Sequence, residues 1–126
     1  MHITPALPLP TPGPPEWFAG DVELAELAAP EAPARLRVFR VAFAPGARTA
    51  WHMHPLGQVL HVLEGVARVQ RDGGPTEEVA AGGTVWFAPG ERHWHGATPG
   101  AAMVHLAIQE ALADGSTTSW LEHVAP

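Results

Sequence analysis

The chain has 126 residues, 46% of them hydrophobic, which is long enough for one domain with a real core and too short for two. A net charge of -6 with no basic cluster argues against nucleic acid and anionic membrane partners, which need a cationic footprint. All seven cations are Arg, and Cys and Tyr are absent. That excludes Schiff-base lysines, thiolate nucleophiles, disulfides and phenolic acids, and leaves histidine, carboxylate and metal as reagents.

Residues 1–15 hold six of the fourteen prolines and show no apolar periodicity, which predicts an extended arm ahead of a single domain over residues 16–126. The N-terminus has neither a basic n-region nor a long apolar stretch, so a cytoplasmic protein without a membrane span is expected. From Trp17 onward, short apolar runs predict strands at Val22–Leu27, Leu36–Phe43, Thr49–His54, Gln58–Glu64, Val66–Arg71, Glu77–Ala80, Thr84–Ala88, His93–Ala97 and Ala101–Gln109. Gly/Pro turn signals such as Ala44-Pro45-Gly46, Ala88-Pro89-Gly90 and Thr98-Pro99-Gly100 separate them. Many short strands with such punctuation predict an all-β sandwich or small barrel. Ser119–Val124 reads equally as a short helix or an edge strand.

The histidines are placed by parity. In an extended strand alternate side chains share a face, so His52 and His54 in WHMHPLGQ emerge together, and Gln58 can return to the same point across the Pro55-Leu56-Gly57 corner. His93 and His95 again share a face, with Trp94 on the other. His105 is a third inward candidate, in a strand whose even positions, Val104, Leu106 and Ile108, form the expected packing face and whose odd positions are mixed. Burying so many polar groups is unfavourable unless they are paired or ligate something. The plainer alternative makes His95 and His105 satisfied core histidines and Gln58 a hydrogen-bond partner to a ligand. His61, His2 and His123 read as structural or exposed, the arginines as solvated, and Trp51, Trp86, Trp94 and Phe43 as core. Phe39 and Val41 share a parity and are placed, with Thr49, in the wall of a pocket.

Gly46-x5-His52-x-His54-x3-Gln58-x6-Gly65 resembles the first motif of the cupins, and Gly83-x5-Pro89-x3-His93 resembles the second. Gln58 stands where that family usually has Glu, and the second motif is one residue shorter with Ala97 in place of its Asn. The strings ARTAWHMHPLGQ, VWFAPGERHWHGATP and MVHLAIQE, with Glu16-Trp17-Phe18, are similar to small manganese-dependent cupins with hydroxynitrile lyase activity. The likeness runs from about Phe43 onward and is least along Arg35–Val41. It implies an all-β cupin barrel (a double-stranded β-helix, or jelly roll) holding a divalent first-row ion through His52, His54, Gln58 and His93. Mn2+ is the implied ion, with Fe2+, Co2+, Ni2+ and Zn2+ as alternatives.

Three imidazoles and an amide oxygen suit such an ion, and Gln in place of Glu leaves its charge unreduced, which favours Lewis-acid chemistry over redox. The expected reaction is reversible cleavage of a cyanohydrin, such as mandelonitrile, to an aldehyde or ketone and hydrogen cyanide. His105 or His95 is the expected general base, and the other histidine and Gln109 receive the cyanide. A quercetinase-like cupin dioxygenase and a non-catalytic ligand-binding cupin are the alternatives. The expected partners are a small carbonyl or cyanohydrin substrate and further copies of the chain, as a dimer or tetramer, because the Pro-rich arm and Trp17-Phe18 offer apolar surface.

Overall fold

Glycine and proline pairs end nearly every apolar run, and the backbone reverses there. The computed structural model describes residues 1–126, with thirteen strands and no helix: β1 Thr11–Pro12, β2 Phe18–Ala19, β3 Val22–Ala28, β4 Leu36–Phe43, β5 Arg48–Thr49, β6 His52–Met53, β7 Gln58–Glu64, β8 Val66–Arg71, β9 Glu77–Ala80, β10 Thr84–Phe87, β11 His93–Ala97, β12 Met103–Glu110 and β13 Ser119–Trp120. One antiparallel sheet has the order β1-β3-β4-β12-β7-β10. The other runs β13-β6-β11-β5-β2, with β8 pairing to β11 and β9 to β8. Their inner faces enclose one core, forming the all-β jelly roll that the resemblance implied. At one end Phe43, Leu60, Val62, Val69 and Met103 fill it. Toward the other end the same strands carry the polar residues of the site.

The three longest strands set that gradient. β12 pairs with β4 on one side and β7 on the other, with His105 opposite Val41 and Val62, and Gln109 opposite Arg37 and Gln58. The β12–β7 register shifts between Val104 and His105, because Val104 faces Glu64 and Leu63 is passed over. Leu63 points outward, and Leu60, Val62, His105 and Gln109 face inward, following the two-residue alternation of their strands. On β12 His105 faces inward with Met103, Ala107 and Gln109, and one expectation is corrected: Leu106 and Ile108, expected to pack, are half-buried on the outside.

Other expectations also change. The strand expected over Thr49–His54 breaks at Ala50 and Trp51, because Ala50 N donates to Trp17 O and Trp51 N to Glu122 O. The last long strand starts at Met103, since Ala101 and Ala102 stay in the turn after Pro99-Gly100. Thr11–Pro12 extends the sheet beside β3, at an edge where proline's missing donor does no harm. Ser119–Trp120 resolves the open reading of the tail as a strand on β6. Trp86 is 58% exposed instead of core, lying on an edge strand across Gly57, where a Cβ would sit 2.3 Å from its ring. Phe18 packs into its own barrel and does not offer the free surface expected of it, whereas Trp17 stacks on Trp120 at 5.1 Å and stays 39% exposed.

Gly65 closes the β7–β8 turn at φ +73, and an added Cβ would lie 2.2 Å from the Ala102 carbonyl oxygen. Gly65→Ala is expected to destabilise the protein by about 1–3 kcal/mol through strained backbone and crowding. The check is a lowered urea midpoint with an unchanged m-value.

Candidate metal centre and cavity

Two short strands and one turn bring the imidazoles together. His52 on β6 is the cross-strand partner of His93 on β11, and their rings lie 4.3 Å apart. His54 follows just past the end of β6, its ring 5.0 Å from that of His52 and 5.4 Å from that of His93. Gln58 opens β7 after the Gly57 turn, with Oε1 3.4 Å from His93 Nε2. All four side chains are buried.

Backbone carbonyls fix the tautomers. His52 Nδ1 donates to Ala50 O at 2.8 Å, His93 Nδ1 to Glu91 O at 2.8 Å and His54 Nδ1 to Thr117 O at 2.9 Å. A carbonyl can only accept, so each Nδ1 carries the proton and each Nε2 is left as a bare lone pair. His54 Nε2 is buried with no partner. His93 Nε2 and Gln58 Oε1 are two acceptors facing each other with no proton between them. Such a gathering of orphaned acceptors fits a cation and little else. Three neutral imidazoles and an amide oxygen are also a donor set suited to a first-row divalent ion.

Two further histidines stand beside this set. A ring nitrogen of His95 lies within 4.8 Å of ring nitrogens of His52 and His93, closer than sequence spacing alone indicated. His95 Nδ1 shares a proton with His105 Nε2 at 3.0 Å, while His95 Nε2 and His105 Nδ1 are buried without partners. Thr49 Oγ1 accepts from the backbone N of His95 at 3.2 Å, and Phe43 packs its ring 5.2 Å from that of His105.

Burial drives all five imidazoles toward the neutral form. It pushes His93 down to about 3 and His105 to about 4. His52 and His95 lie well below the usual histidine range for the same reason, reinforced by the neighbouring imidazoles. Burial lowers His54 as well, partly opposed by its bond to Thr117.

The donors open into a cavity of about 390 Å³. Phe39, Val41, Thr49, His95, His105 and Gln109 line it as expected, together with His52, His54 and Gln58. The structure adds Trp17, Phe18, Leu24, Trp120 and the segment Gly115–Thr118. No Asp, Glu, Lys or Arg contributes to the wall. Trp120 lies 4.6 Å from the His52 ring, and Phe87 stacks on His93 at 3.6 Å. In the sequence the only trace of the Trp120 wall is an isolated tryptophan in a short polar tail. His61, bonded to Thr84, and His123, donating to Pro15 O, lie outside the site.

Residues 39–108 match the family model described as a cupin domain. The chain is 54% identical over 112 residues to an (R)-mandelonitrile lyase of Granulicella tundricola, an alignment that covers 89% of this chain and 85% of that protein. Among solved structures it is similar to a cupin-like protein of Thermotoga maritima, with TM-score 0.84 and 34% identity over 91% of this chain and 86% of that one. The polyketide cyclase RemF of Streptomyces resistomycificus shares the fold at TM-score 0.66 and 23% identity, covering 83% of this chain and 72% of its own. The family match spans more than half of the chain and includes His52, His54, Gln58, His93, His95 and His105: this chain belongs to the cupin family.

Proposed function

We propose that this chain is a metal-dependent hydroxynitrile lyase that reversibly cleaves a cyanohydrin, with mandelonitrile as the test substrate, to an aldehyde or ketone and hydrogen cyanide. The observation that carries the reading is the His95–His105 pair: two buried, neutral imidazoles bonded to each other beside His52 and His93. The likeness to an (R)-mandelonitrile lyase supports the same class of reaction. A divalent first-row ion, with manganese the proposed occupant, supplies Lewis-acid polarisation of the substrate oxygen when bound through His52, His54, Gln58 and His93.

The chain's own residues do the rest. The pair takes the hydroxyl proton, with the bare Nε2 of His95 as the acceptor facing the ligand nitrogens and His105 Nε2 stabilising the resulting imidazolium from behind. As that proton leaves, the bond between the carbinol carbon and the nitrile carbon breaks and its electron pair departs as cyanide. The carbonyl double bond forms, and the imidazolium returns the proton to give hydrogen cyanide. Gln109 donates a hydrogen bond to the leaving group. Phe18, Leu24, Phe39, Val41 and Trp120 form the apolar side of the cavity that receives the organic part of the substrate. No electron is gained or lost overall, so oxygen is not required. The decisive experiment is metal analysis of the purified protein followed by mandelonitrile cleavage in air and under argon; strict dependence on oxygen would exclude the lyase.

A cytoplasmic location and a homo-oligomeric state, dimer or tetramer, belong to the same proposal. The second copy covers the outer face of the β1-β3-β4-β12-β7-β10 sheet, where Leu36, Leu63 and Trp86 are exposed and Val38, Val59 and Ile108 half-buried. Residues 1–10 form no strand and expose Ile3, Leu7 and Leu9. Fully extended they reach about 33 Å, far enough to seat those side chains on a neighbour. Light scattering is expected to give a multiple of the chain mass; a monomer at every concentration overturns this.

Roles divide the histidines by variant. His52→Ala, His54→Ala and His93→Ala are expected to lose most bound metal. His105→Ala is expected to keep it and lose about 10²–10⁴-fold in turnover, the range for removing a positioned base or its partner. Elemental analysis and initial rates on the same preparations check both. Full turnover in metal-loaded His105→Ala removes the pair from the mechanism.

Acid is expected to destabilise the metal-free protein. The buried histidines have folded values depressed below the unfolded value of about 6.5, so at low pH the unfolded chain binds more protons. Their contribution is complete above about 6.5 and is lost as pH falls through that value toward about 4 for His105 and about 3 for His93. Thermal melts of metal-free protein between pH 7.5 and 4 should show a steady fall; a flat profile contradicts the neutral burial of these rings.

A further inference from the structure

Gln58 and Gln109 are direct cross-strand partners in the β7–β12 ladder, so their side chains stand on the same inward face. Both are buried, and Gln58 Nε2 donates to Gln109 Oε1 at 3.1 Å. The other end of the Gln58 amide, Oε1, lies 3.4 Å from His93 Nε2, a nitrogen left bare because His93 Nδ1 donates to Glu91 O. An amide has one oxygen end and one nitrogen end, so the acceptor supplied by Gln109 decides which end of Gln58 faces the donor set. With its oxygen engaged, Gln109 keeps only its Nε2 hydrogens for the cavity it lines, and no side-chain or backbone acceptor takes them.

We propose that Gln109 is a positioning residue. It holds the Gln58 oxygen toward the metal position, and through the same bond residue 58 sets the polarity that Gln109 shows to a ligand. With Gln at 58, Gln109 presents an N–H donor suited to an anionic or other acceptor group. A Glu at 58 has no hydrogen to give, so Gln109 must rotate its amide to donate to that carboxylate, and it then turns its oxygen into the cavity. The substitution of Gln for the usual acidic residue is thus read out twice, once in the charge of the donor set and once in the hydrogen-bond sense of the opposite strand. The inference rests on the metal centre proposed above, but not on cyanohydrin chemistry.

The test measures binding and not turnover. Mn2+ affinity is determined by competition with a chelator, and azide binding is followed in the visible spectrum of Co2+-loaded protein. Gln109→Leu removes the acceptor and is expected to raise the Mn2+ dissociation constant about 10- to 100-fold, the usual effect of losing a partner that orients a ligand. Gln109→Glu restores an acceptor for Gln58 Nε2 and is expected to return Mn2+ affinity to within a few-fold of the parent. It should nevertheless lose azide affinity by about tenfold or more, because the donor is gone. Gln58→Glu is expected to keep the metal and likewise weaken azide. Unchanged Mn2+ affinity in Gln109→Leu overturns the proposal. So does an equal loss in Gln109→Glu, which would mean that shape and not hydrogen bonding was removed. Should Gln109→Leu fail to fold, the Gln109→Glu and Gln58→Glu measurements decide by the same criteria. Failure of cyanohydrin cleavage with these affinities as expected would overturn the lyase reading and leave the Gln58–Gln109 assignment standing.

Discussion

Five buried imidazoles cluster beside one cavity with no carboxylate along its wall, and the rest of the site follows from that constraint. Unpaired charge in such a place is so unfavourable that the groups remain neutral instead. A neutral imidazole has one donor and one acceptor, and both need an answer. For His52, His54 and His93 the donors are answered by main-chain carbonyls, which leaves acceptors converging on a point that no protein hydrogen reaches. His95 and His105 answer each other at one ring nitrogen each, while His95 Nε2 and His105 Nδ1 stay buried without partners. Hydrogen bonding therefore divides five chemically identical side chains into three tied to the main chain and two tied to each other.

The absence of acidic and basic residues from the cavity wall has an electrostatic meaning. In most binding clefts a cation's field is shared with nearby carboxylates. Here a bound cation would face its ligand across apolar and hydroxyl-bearing walls, where screening is weak. The shared fold of a polyketide cyclase shows that the barrel alone does not decide the chemistry. Function resides in which donors the strands turn inward and in what stands behind them.

Much of this was legible in the residues. Leu36–Phe43, Gln58–Glu64, Val66–Arg71, Glu77–Ala80 and His93–Ala97 have the bounds that Gly/Pro punctuation gives them, because turn chemistry is local. The spacing of His52, His54, Gln58 and His93 also carried over, since parity on a strand is local too. What could not be read was long-range. The break after Thr49 arises from hydrogen bonds to Trp17 and Glu122, and the pocket wall contributed by Trp120 arises from a tail with no apolar pattern. On β12 parity put Met103, His105 and Gln109 together on one face, but Leu106 and Ile108, which the apolar pattern marked for packing, lie half-buried on the outer face, because a functional interior is where apolar-inward patterning gives way. The register shift that passes over Leu63 leaves no mark in the sequence.

The bond from His54 Nδ1 to the carbonyl of Thr117 joins residues 63 positions apart, whereas His52 and His93 are each oriented by a carbonyl two positions away. Two ligands are thus oriented as soon as their own turns form, and the third waits for the end of the chain. During synthesis, which adds residues one at a time from the N-terminus, the barrel strands through β12 emerge before the segment that orients His54. The order of emergence makes the orientation of His54 a late event, fixed only once the segment around Thr117 has reached the barrel.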